Sequence, residues 1–137
     1  MKQRIVVQVL IKHRDKYLFL GKKHFDKNEE GYLDLIGGTV AGGESLISAL
    51  KREAKEKIHL ELNERDIRAV DFDSEVMNYK GKMTHVVFLR YFAEVDSANP
   101  HVSDQNDSIY WLRESELSEH NFGRSTERFL KKLALTA

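Results

Sequence analysis

The chain contains no cysteine. Disulfides, thiolate metal sites and cysteine nucleophiles are therefore excluded. It shows no excess of charge of either sign, since Lys plus Arg is 22 and Asp plus Glu is 22, so no global field favours nucleic acid or an anionic membrane. No apolar run approaches the roughly 20 residues of a membrane helix. The first residues, MKQRIVVQVLIKH, lack a signal peptide's long apolar core and small-residue cleavage site. The expectation is a cytoplasmic protein whose partners are neither membrane nor polymeric nucleic acid. There is one proline, Pro100, and no repeat or low-complexity tract. What is present is 137 residues, 41% hydrophobic and 32% charged, ordinary for one soluble domain with a sizeable core.

One stretch looks like chemistry rather than packing: Gly37 to Leu60, GGTVAGGESLISALKREAKEKIHL. Two glycine pairs come first. From Glu44 onward the residues are mostly good helix formers, with no glycine or proline until well past Leu60. Leu46, Ile47, Leu50, Ala54 and Ile58 recur at helical spacing and predict one apolar stripe. Glu53 and Glu56 are three apart, so they are neighbours on one face, roughly 60° from each other. Lys57, four after Glu53, joins the same edge. Gly42 and Gly43 permit a tight turn, and Glu44 near the helix start suits the positive end of the dipole. An isolated E-x-x-E is most often a solvated helix face; the glycine loop at a fixed offset before this one makes it different.

The stretch resembles the signature of the Nudix (MutT-like) hydrolases, G-x5-E-x7-R-E-U-x-E-E-x-G-U with U aliphatic. Gly38 stands at the opening Gly, Glu44 at the first Glu, Arg52 and Glu53 at the R-E pair. Ala54 takes the aliphatic place, Glu56 the next Glu and Leu60 the closing aliphatic. Two positions depart: Lys57 stands where the family has its last Glu, and His59 where it has Gly. His59 must close the helix in a left-handed turn, which histidine tolerates at a cost. Lys57 replaces an oxygen ligand by an ammonium that cannot bind metal. At about 5 Å from a divalent ion and an effective dielectric near 20, its repulsion would be roughly 7 kcal/mol. A flexible lysine is expected to swing away from the ion, or else to contact the substrate diphosphate; both readings stay open.

The flanks agree with the resemblance. Arg4 to Lys12 reads as a strand buried on both faces, turning at Arg14 and Asp15 into a second strand, Lys16 to Lys23. The resemblance makes Lys22 and Lys23 candidates for phosphate contact, against a plain solvated strand end. Tyr32, before the glycines, is a candidate to stack on a base or to join the core. Ile67 to Tyr79 and Lys82 to Val95 read as strands joined by a turn at Lys80 and Gly81, with Arg90 interrupting an apolar face and requiring a carboxylate partner or solvent. Ser97 to Asp107 reads as loop before a strand Ile109 to Leu112; by resemblance Asp104 or Asp107 is a candidate metal ligand or base. Trp111, Glu116 and Leu117 are similar to the family's W-x-x-x-x-E-L ending, and Ser125 is expected to cap a last helix through Leu135.

The resemblance implies one Nudix-like domain over residues 1–137, an α/β/α sandwich with a curved mixed sheet, the box helix on one face and the C-terminal helix on the other. It implies hydrolysis of a nucleoside diphosphate linked to another moiety, with Mg²⁺ or Mn²⁺ as cofactor. Glu53 and Glu56 would be ligands with the carbonyl of Gly37 or Gly38, hard oxygen donors suited to such ions. Arg52 would orient a carboxylate, Glu44, by paired hydrogen bonds. The base would be Glu53 or an acid of the 104–107 loop. The alternative is a nucleotide-binding or regulatory module on the same scaffold, catalytically weakened by Lys57. Substrate identity and oligomeric state, a homodimer included, are not readable from the chain.

Overall fold

The computed structural model describes residues 1–22, 32–96, 99–104 and 107–136. Its strands are β1 (Lys2–His13), β2 (Lys16–Lys22), β3 (Leu33–Asp34), β4 (Ile36–Thr39), β5 (Ile67–Tyr79), β6 (Lys82–Glu94) and β7 (Asp107–Arg113); its helices are α1 (Leu46–Ile58) and α2 (Arg124–Lys132). All the strands join one mixed sheet. β1 is its centre. It runs parallel to β6 from Lys2↔Thr84 to Lys12↔Glu94, and its other edge is shared by β4 at Val6–Val9 and β2 at Ile11–His13, both antiparallel. β2 carries β7 beyond it, and β5 pairs with β6.

β1 is central because Val7 to Ile11 is buried without a break, as a strand covered on both faces must be. The β1–β2 turn forms at Arg14, with φ 56°, and the β5–β6 turn at Lys80 and Gly81, with φ 51° and 84°. A bulge interrupts the β5–β6 register between Ala69 and Asp71.

Each sheet face carries one helix. On one face Val7, Val9, Ile11, Leu18, Leu20, Ile36, Tyr91 and Ala93 pack against Ala49, Leu50, Ala54 and Ile58 of α1. On the other, Leu10, Phe19, Leu35 and Leu112 meet Phe129 and Leu130 of α2. The α/β arrangement with a helix on either side of a mixed sheet is therefore as expected.

Arg90 accounts for how α2 is held. It is fully buried on the α2 face, donating to Gln8 Oε1 at 3.1 Å, Asp71 Oδ2 at 3.2 Å and the Ser125 carbonyl at 3.0 Å. Arg128 and Lys132 of α2 pair with Asp73 and Asp71 as well. Burial pulls the Arg90 guanidinium below its usual range, against the pull of Asp73 and Asp71. Two helix details depart from the sequence reading. α2 begins two residues earlier, with Gly123 in place of Ser125 at its N-cap and Ser125 inside the helix, where its carbonyl serves Arg90. On α1, Leu46, the first helical residue, is exposed and Ala49 is buried instead, in line with Leu50, Ala54 and Ile58.

Candidate active site

The glycine loop and α1 meet along β4. Ser45 caps α1: its hydroxyl accepts from Ser48 N at 3.1 Å, so the helix starts at Leu46, two residues after the Glu44 expected to open it. Glu44 is thereby left outside the helix, where Oε1 accepts from Ala41 N at 3.0 Å. Arg52 grips it with two bonds, Nε to Oε2 at 2.7 Å and Nη2 to Oε1 at 3.0 Å. That pairing, helped by the Ala41 amide, lowers the Glu44 carboxyl to about 2 from an ordinary 4.5. Reciprocally, the Glu44 bond raises Arg52.

Arg52 also reaches Glu53 Oε1 at 2.8 Å, Glu56 Oε2 at 3.4 Å and the Thr39 carbonyl at 3.1 Å. One guanidinium thus joins Glu44, Glu53, Glu56 and the end of β4. Glu53 is a buried residue, packed against Gly38 so tightly that a Cβ there would lie 2.4 Å from its carboxylate. Gly37 faces β1 just as closely: a Cβ would lie 2.1 Å from the Val7 carbonyl oxygen. The first glycine pair is therefore required by close approach; of the second pair, Gly43 has φ 79°.

Lys57 does not swing away. Its ammonium donates to the Gly37 carbonyl and stands 3.4 Å from Glu53 Oε2. Beyond it α1 closes at His59, with φ 54° in the left-handed region, as required of the position. The segment 101–103 caps the exposed carbonyls there: His101 N donates to Ile58 O and Ser103 N to Lys57 O, each at 3.0 Å, and the Ser103 hydroxyl to Glu56 O. His101 stacks on His59 with ring centroids 4.2 Å apart. Asp104 follows directly and so is brought to the end of α1, whereas Asp107 belongs to β7, its backbone opposite Lys22. Tyr32 is exposed, with its ring beside Gly123. Lys23 and the side chain of Lys22 lie outside the described residues.

A model of the NUDIX domain matches residues 1–133. The chain belongs to the NUDIX family. Solved structures agree in fold. A MutT NUDIX hydrolase from Burkholderia pseudomallei is 21% identical with a TM-score of 0.77, covering 96% of this chain and 98% of that one. The NUDIX domain of Shewanella oneidensis NrtR, complexed with ADP ribose, is 16% identical with a TM-score of 0.76, covering 99% and 90%. A C. elegans Ap4A hydrolase in a binary complex is 14% identical with a TM-score of 0.69, covering 96% and 95%. No curated protein matches the chain in sequence.

NUDIX hydrolases generally use a divalent metal such as Mg²⁺. The oxygens available for one here are those of Glu53, Glu56 and the carbonyls of Gly37 and Gly38. Mg²⁺ binds oxygen at about 2.0–2.1 Å in a near-octahedral shell. Yet the Gly37 carbonyl and Glu53 Oε2 already face the Lys57 ammonium, and Glu53 Oε1 faces Arg52. Among the described residues no group of three or more His, Asp or Glu is arranged to hold a metal. As arranged, these side chains do not fit a resident divalent ion.

Sequence reasoning missed four participants. Thr39 and Ala41 act through backbone atoms, which carry no side-chain signature. Ser45 was readable as a helix cap, since serine stands just before the first apolar-periodic residue. Ser103 bonds across 47 residues and leaves no local signal.

Proposed function

We propose that this NUDIX chain is a cytoplasmic nucleotide pyrophosphohydrolase, acting on a nucleoside diphosphate linked to another moiety. The Arg52 fork carries the reading. A guanidinium that fixes three carboxylates beside a glycine loop is far more ordered than a solvated helix face requires.

Such a reaction adds water across a P–O–P bridge. The hydroxyl goes to one phosphorus, the bridging oxygen leaves with the other, and a base takes the proton. Glu53 is poorly suited as that base, because both its oxygens are held by cations. Glu56 is better suited: its side chain is 63% exposed, and among the described residues only its Oε2 is touched, at 3.4 Å. Asp104, on the segment fastened to the end of α1, is the alternative. Lys57 would supply positive charge to the diphosphate.

A second reading has its own support: a nucleotide-binding or regulatory module with weakened catalysis, favoured by the Lys57 ammonium between Gly37 and Glu53. The test is product release from a panel of nucleoside diphosphate derivatives, with and without Mg²⁺ or Mn²⁺. Turnover that disappears in Glu56→Gln supports the hydrolase. Nucleotide binding without turnover supports the module. Turnover that survives both Glu56→Gln and Asp104→Asn undiminished places the chemistry elsewhere.

A further inference from the structure

Lys57 occupies the position a cation would take. Its ammonium lies between the Gly37 carbonyl and Glu53 Oε2, on the inner side of the glycine loop, and its side chain is only one-third exposed. Charge accounts for why it stays there. Glu44, Glu53 and Glu56 face Arg52 and Lys57, leaving the cluster with one net negative charge. A glutamate at residue 57 would leave three. The difference equals the charge of one divalent ion, so lysine does for the electrostatics of this cluster what bound metal would do for the glutamate form. Geometry agrees. A lysine ammonium has three N–H donors. One is given to the Gly37 carbonyl, the Glu53 carboxylate lies within ion-pair distance, and among the described residues no further acceptor engages the ammonium, which leaves donor capacity for an oxygen from outside. A metal could bind the same oxygens only after the ammonium had vacated them.

We infer that Lys57 is the built-in cation of this site, and that the phosphate chain of a nucleoside diphosphate binds against it without a divalent metal. The inference rests on the diphosphate reading above, and its test has two arms so that the two can fail separately.

In the first arm, ADP is titrated calorimetrically into the whole chain in EDTA and again in Mg²⁺. Wild-type affinity should agree within about twofold between the two conditions, and Lys57→Met should lose about tenfold in EDTA. In the second arm, Mn²⁺ alone is titrated and followed by electron paramagnetic resonance. Lys57→Glu should bind it about tenfold more tightly than wild type, and Lys57→Met, which frees the oxygens without adding one, should lie between. Circular dichroism checks that each variant is folded, and Lys57→Met carries this arm if Lys57→Glu is not. Wild-type ADP binding that collapses in EDTA overturns the inference, as does wild-type Mn²⁺ affinity equal to that of the variants. If ADP binds under neither condition, the diphosphate reading falls, and the Mn²⁺ arm still decides whether the ammonium holds the cation position.

Discussion

Gly38 offers the sharpest test of how the site is built. Replacing it by alanine adds one methyl group, which would meet the Glu53 carboxylate at 2.4 Å. The three atoms nearest to it all belong to the end of the Glu53 side chain, not to backbone. Glu53 can move, but only by releasing Arg52 at 2.8 Å and Lys57 at 3.4 Å. A hydrogen bond to a charged group contributes about 1.5–3 kcal/mol, and the longer contact less. Gly38→Ala should therefore cost about 2–4 kcal/mol, a fall of about 1–2 M in the urea midpoint for a chain of this size. In a Glu53→Ala background the same methyl group has nothing to displace, and its cost should shrink to within about 0.5 kcal/mol of zero. Gly37→Ala is the contrast: its methyl group would meet the Val7 carbonyl oxygen at 2.1 Å and Gln8 Cα at 2.9 Å, both backbone, so Glu53→Ala should not rescue it. The double-mutant cycle is read by urea denaturation. If Gly38→Ala costs the same with and without the Glu53 carboxylate, Gly38 is not there to make room for it.

Arg90→Ala should destabilise the fold by about 3–5 kcal/mol in the same denaturation assay, because it removes one partner of a buried ion pair and leaves Asp71 and Gln8 short of a donor; a loss below about 1 kcal/mol would mean that Arg128 and Lys132 suffice to anchor α2. The Glu44 carboxyl, held at about 2 against an ordinary 4.5, contributes stability that is complete above pH 4.5 and lost as the pH falls toward 2. Wild type should therefore lose its margin over Glu44→Gln across that window, and a margin constant with pH would refute the Arg52 grip as its source.

Local order determined what the sequence alone made legible. Alternation and β-branched runs placed the long strands, and a 3.6-residue stripe placed α1 to within two residues at either end. These signals act between residues a few positions apart, where backbone geometry alone dictates who is near whom. That Arg52 would orient Glu44 came from the family resemblance and not from spacing; the structure holds the two in paired hydrogen bonds. Tertiary structure decided the rest. Whether Lys57 leaves the cluster or enters it depends on a carbonyl 20 residues away, and therefore on how β4 lies along β1 beneath the helix. Arg90 was legible as a residue in need of a carboxylate, but its burial under α2 follows from which sheet face that helix covers. The capping of α1 by residues 101–103 joins segments that no periodicity connects. Such contacts form only once separate elements are packed, because the distance between them is set by the volume of the side chains in between and not by any stretch of sequence read by itself.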